Sequence, residues 1–230
     1  MKKYMVIFTL AMSFFAFGAE AASFGTDVVG ARAVTAFQEM LGALESPPVL
    51  DEAENAWVLT APDGKAAFRW RRDTDGNRPF DVYLCFDAEP FIKAGLDVNK
   101  LPAEMKSLLE SGGQLVLGSR LSPEPLVYEG DAGPLSSFEQ IVRRDRDVIG
   151  YHTALDHYGV TVSEGSLLEW ARDMSKNDKD LVFVLNPKVF IDAGTDPARV
   201  EGWAFGKVTV EDSRGRKSEA DKFLKPFNLR

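Results

Sequence analysis

The side chains best suited to chemistry sit in one short stretch, Tyr151-His152-Thr153-Ala154-Leu155-Asp156-His157-Tyr158, which holds both histidines of the chain. Imidazole nitrogens with a carboxylate suit zinc or a similar metal. A His–Asp pair also suits acid–base work, because the carboxylate orients the ring and strengthens it as a base. Hydrophobic spacing through Phe138, Ile141, Val142, Ile149 and His152 predicts a helix here. On it His152 and Asp156, four apart, share a face, whereas His157, five from His152, swings away. His152 and Asp156 are therefore the candidate catalytic pair. His152, Asp156 and His157 are the candidate metal ligands, with a bend or further ligands needed to complete the set. The competing structural reading is a histidine at the edge of a helix stripe beside a surface ion pair.

Other reactive types have structural explanations. Cys85 is the only thiol, which excludes an intramolecular disulfide. Its neighbours Leu84 and Phe86 are apolar, so it reads as a core position. Asp97 and Asp196 follow similar Phe-Ile-x-Ala-Gly segments and suit N-caps of the next helical turn. Trp57, Trp70, Tyr158 and Trp170 read as hairpin core and not as a sugar platform. The chain has no Gly-x-Ser-x-Gly, His-Glu-x-x-His, phosphate-binding loop or Cys-x-x-Cys, and no cofactor is predicted.

The elements that must position these residues come twice. Asp81, Phe91, Ile92, Ala94, Gly95 and Asp97 match Asp180, Phe190, Ile191, Ala193, Gly194 and Asp196 at an offset of 99. Trp70, Arg72 and Asp73 match Trp170, Arg172 and Asp173 at 100, and Phe37, Thr60 and Gly64 match Phe138, Thr161 and Gly165 at 101. At that same offset, Asp51, Asn55 and Ala56 stand where the second half has His152, Asp156 and His157, and Val184 faces Cys85 at 99. Loop deletions between paired elements would shrink the offset in this way. The predicted unit has an amphipathic helix over 33–44, a hairpin around Ala61-Pro62-Asp63-Gly64, and an apolar strand from Asp81 to Phe86. A short helix at 91–95 and a last strand, 115–117 or 207–210, complete it. The fold class is α+β: two tandem copies of a small antiparallel sheet packed with an N-terminal helix and a short second helix. The predicted division is 22–130 and 131–230, with the Pro- and Gly-rich stretch 122–134 as linker.

Before both copies, residues 1–21 read as a signal peptide. Lys2 and Lys3 precede an apolar run from Met5 to Gly18, and Ala19-Glu20-Ala21 offers small residues for cleavage. The run is too short to span a bilayer comfortably, so no transmembrane segment is expected in the mature chain. Cleavage after Ala21 leaves 209 of the 230 residues, and losing two lysines and one glutamate moves the net charge from −8 to −9. Such a surface repels nucleic acid. The expectation is a soluble periplasmic or secreted protein, non-enzymatic, that binds a protein partner or small ligand in the cleft between the copies. The alternative is a metal-dependent or His/Asp-based enzyme built on His152, Asp156 and His157.

Overall fold

The computed structural model describes residues 14–16, 26–73, 78–120, 132–152, 155–176, 179–212 and 217–230. Apart from the three-residue strand β1 (Phe14–Ala16), the predicted signal peptide lies outside them, as do residues 121–131, where the two predicted units divide. Two antiparallel sheets each carry a preceding helix and a short second helix, the tandem α+β arrangement expected.

The first copy runs α1 (Thr26–Ala43), β2 (Val49–Asp51), β3 (Ala56–Thr60), β4 (Ala66–Arg71), β5 (Val82–Asp87), α2 (Glu89–Lys93), α3 (Ala103–Gly112) and β6 (Gln114–Ser119). Its sheet is a simple meander, β2-β3-β4-β5-β6. The second runs α4 (Pro134–Arg144), β7 (Ile149–His152), β8 (His157–Ser163), β9 (Ser166–Ala171), β10 (Leu181–Leu185), α5 (Lys188–Asp192), β11 (Ala204–Asp212) and β12 (Lys217–Phe227). Its order is β7-β8-β9-β10-β12-β11, with β1 parallel at the β11 edge.

Two local expectations are corrected. The helix predicted over 138–152 stops at Arg144, and Ile149–His152 is strand β7. The strand that matches β6 is β12, not 207–210: β5 pairs with β6 as β10 pairs with β12, while 207–210 lies one strand further out in β11. Helix α3 stands in the first copy where the second has β11, and Gly113, at φ 71°, ends it in the left-handed conformation.

The copies do not pack separately. Helix α1 lies on strands β7, β8 and β9 of the other copy, and α4 lies on β4. The Trp170 indole donates to the Ala33 carbonyl at 3.2 Å, and Trp70 donates to the Pro134 carbonyl at 2.9 Å, so each sheet's tryptophan bonds the other copy's helix. Between them Phe37 and Phe138 stack with centroids 4.0 Å apart. One hydrophobic core is drawn from both copies.

The repeated Phe-Ile-x-Ala-Gly-x-Asp segments meet across a local twofold. The Asp97 amide donates to Ala193 O and the Asp196 amide donates to Ala94 O, each at 2.8 Å. Gly95 and Gly194 have φ of +104° and +101°, and a Cβ on either would stand 3.0 or 3.1 Å from the other's carbonyl oxygen. Both aspartates also do the expected capping: Asp97 accepts from the Asn99 amide and Asp196 from the Ala198 amide. The segment is a packing joint, which accounts for its repetition without a ligand.

Candidate functional site

Strands β7 and β8 form a hairpin in which His152 and His157 are direct cross-strand partners. Cross-strand partners share a face of the sheet, so the spacing of five that would split them on a helix brings them together here. Asp156 lies in the connecting turn at φ 56°, as Asn55 does at φ 49° in the first copy. Its carboxylate turns elsewhere, accepting from the Tyr151 hydroxyl and pairing with Arg172 at 2.6 Å. Partial burial pushes the Asp156 carboxyl up, but the bonds from Tyr151 and Arg172 outweigh it and hold it below its ordinary value. Burial and the Asp156 carboxylate raise the Tyr151 hydroxyl to about 12.

The acid that the histidines share is Glu169 on β9. Its Oε2 lies 3.6 Å from His152 Nδ1 and 3.5 Å from His157 Nδ1. All three side chains are buried. Gly159 stands between β7 and β9, and a Cβ there would meet Glu169 Cγ at 3.2 Å, so its bare backbone gives the glutamate room. Full burial pushes the Glu169 carboxyl up, yet hydrogen bonding and charge from both histidines bring it below its ordinary value. Sequence reasoning missed this residue. The signal was a lone acid in the apolar strand Ser166-Leu167-Leu168-Glu169-Trp170, at the position where the first copy has Arg69. Among the described residues no group of three or more His, Cys, Asp or Glu side chains has an arrangement that could hold a metal ion.

Cys85 faces away from the shared core, beside Tyr83 and Arg69, and burial raises its thiol to about 11. It is not poised as a nucleophile, which needs a lowered pKa and access.

The opening that both copies build is elsewhere. A groove of about 460 Å³ lies between α3 and β6 on one side and the β8–β9 turn and α5 on the other. Met105, Leu117 and Val189 supply apolar surface, and Ser163, Glu164 and Asn186 supply polar groups. Lys188 and Lys100 also line it, each next to a carboxylate of its own element: Lys188 pairs with Asp192, and Lys100 stands 3.9 Å from Asp97. The Asn186 side chain donates to Glu164 O at 3.2 Å and accepts from the Lys188 amide at 3.1 Å, fixing the turn against the start of α5. A pocket of this size with an apolar lining and few polar groups suits a small ligand or a short chain segment. No helix among the described residues is long and apolar enough to cross a membrane. No family model, no curated protein and no solved structure matches the chain.

Proposed function

We propose that the chain is an exported, non-enzymatic binding protein whose ligand, a small molecule or a segment of a partner protein, seats in the groove between the copies. The observation that carries this reading is the groove itself, which needs Met105 and Leu117 from one copy and Glu164 and Val189 from the other. The buried His152, His157 and Glu169 cluster serves the fold on this reading, since at 5% exposure or less it offers a substrate no access. The net charge of −8 argues against nucleic acid as the partner.

Two measurements test it. Protein-observed NMR with a set of small fragments should give shifts gathered on Met105, Leu117 and Val189; shifts gathered on any other surface would sink the groove. N-terminal sequencing of the protein made in a bacterium with its leader should begin at Ala22; an intact Met1 would remove export. The rival reading, a metal-dependent or His/Asp-based enzyme, has the convergence of His152 and His157 in its favour. Elemental analysis of the purified chain beside a His157→Ala variant decides it: a stoichiometric metal lost in the variant would support the enzyme.

A further inference from the structure

The local twofold gives the groove a twin, and the twin is filled. In the first copy's β3–β4 turn Asp63 precedes Gly64; in the β8–β9 turn Glu164 precedes Gly165, and the two glycines have φ of +71° and +68°. On the strand that faces each turn, Lys225 pairs with Phe183 as Leu117 pairs with Leu84, and Phe183 and Leu84 are themselves matched at an offset of 99. In the twin, the Lys225 ammonium lies 2.6 Å from the Asp63 carboxylate, donates to Gly202 O at 3.3 Å, and stands 5.4 Å over the Trp203 ring. Trp203 in turn packs edge-on against Phe86 and Phe91. Lysine and indole are both buried there. The twin thus holds an ammonium paired with the turn carboxylate and resting on an aromatic ring.

In the open groove the turn carboxylate is present and the plug is not. Leu117 replaces the lysine, and the chain that carries Trp203 in the second copy gives way to α3, which brings Met105 instead. Lys188 and Lys100 have Asp192 and Asp97 beside them. Glu164, exposed at the turn, makes no ion pair within 4 Å among the described residues, and the Lys222 and Lys188 ammoniums feel its charge from further off. Behind the same turn, Lys222 donates to Gly165 O at 2.6 Å. We propose that the groove takes a primary ammonium carried on an apolar or aromatic body, with Glu164 as its counter-ion and Met105, Leu117 and Val189 as the surface for the body. The proposal rests on the groove being the binding site. A cation that leaves water for a carboxylate and an apolar wall gains from both partners, and the acidic chain favours its approach.

The test uses the mature chain and tryptamine, which joins an ammonium to an indole, with tryptophol and indole-3-acetate as neutral and anionic counterparts. Titration calorimetry at pH 7 should show tryptamine binding at least tenfold tighter than tryptophol, with indole-3-acetate weakest. Glu164→Gln should remove that difference without moving the urea midpoint. Leu117→Lys, which installs the twin's ammonium, should abolish tryptamine binding; if that variant does not fold, Glu164→Gln decides alone. Acetyl-Lys-Trp-amide separates the sources: tighter binding than tryptamine assigns a peptide, weaker binding a free amine. Equal binding of tryptamine and tryptophol, or indifference to Glu164→Gln, overturns the ammonium proposal and leaves the groove standing. Failure of all three indoles to bind at millimolar concentration overturns it as well, and NMR shifts on Met105, Leu117 and Val189 from the fragment set then show whether the groove survives.

Discussion

In the first copy Asp51 and Arg69 form an ion pair at 2.9 Å; at the same two positions the second copy has His152 and Glu169. Glu54 and Arg71 pair at 3.0 Å, with Arg71 5.3 Å over the Tyr83 ring, where the second copy has Leu155, Ala171 and Val182. Val182 belongs to a small apolar cluster with Val184, Val208 and Leu224, against which Leu155 packs, while Ala171 joins the shared core. The residues facing the shared core contrast with this. Phe37 and Phe138, Trp70 and Trp170, and Phe91 and Phe190 keep their type. Phe37 touches Phe138, Phe91 touches Phe190, and each tryptophan touches the other copy's helix phenylalanine, Trp170 on Phe37 and Trp70 on Phe138. Where each copy is the other's packing surface, a change in one must be answered in both, and the residues stay alike. On the far faces of the sheets and in the open groove no such coupling holds, and there the copies differ in charge, in titratable groups and in open volume. Features that distinguish one copy from the other are the place to look for function.

The sharpest way to break this contrast is to cut the shared core. Phe138→Ala removes a ring that contacts Phe37, Phe68, Trp70 and Trp170. It should cost about 3–5 kcal/mol, and because α4 covers the other copy's sheet, the loss should come as one transition. Urea unfolding followed by tryptophan fluorescence and by far-ultraviolet circular dichroism should give coincident curves. Two separated transitions would mean that the copies fold alone.

A smaller effect should divide the far faces. Arg69 and Asp51 are partly exposed, so Arg69→Ala should cost no more than about 1 kcal/mol. Glu169→Ala strips the acid from two buried histidines and should cost about 3 kcal/mol. The pH dependence separates them further. A carboxyl held low in the folded protein contributes stability that is complete above its unfolded value near 4.3. That contribution is lost as pH falls through the lower folded value. The Glu169→Gln variant should therefore show a flatter acid limb below about pH 4 than the parent, read as urea midpoint against pH. Equal slopes would remove Glu169 from the account.

Much of the frame was legible in one sequence because the chain repeats itself. The stepwise offsets mark matched elements, and the caps at Asp97 and Asp196 follow from an acid set before a short turn. Single elements with weak periodicity were not legible. Ile149 and His152 fit a helix stripe as well as a four-residue strand, and short apolar runs do not separate the two. The strand β12 was missed because Lys217-Ser218-Glu219-Ala220-Asp221-Lys222 reads as solvated chain. Two of its lysines are buried, Lys222 beside the β8–β9 turn and Lys225 in the twin groove. The histidine pair was found and its acid was not, because Asp156 is close in sequence while Glu169 arrives through strand pairing. The groove has no local signal at all, since each copy supplies half of it.

The mildest comparison sets Cys85 against Val184. Both are buried strand positions facing away from the shared core, but Cys85 has Arg69 and Arg71 nearby, and cations stabilise a thiolate. Burial opposes them and wins, raising the thiol to about 11. At pH 8 that leaves roughly one thiol in a thousand ionised, against about a quarter for a free cysteine near 8.5. Native Cys85 should therefore react with a disulfide reagent at pH 8 more than about a hundredfold slower than the urea-unfolded chain. Cys85→Val, the second copy's own choice, keeps the volume close and should change stability by less than about 1.5 kcal/mol. Native labelling within tenfold of the unfolded rate would mean that the arginines outweigh burial. The far face of the first sheet would then be an open, electropositive surface around a reactive thiol, and the two copies would differ in chemistry as well as in packing.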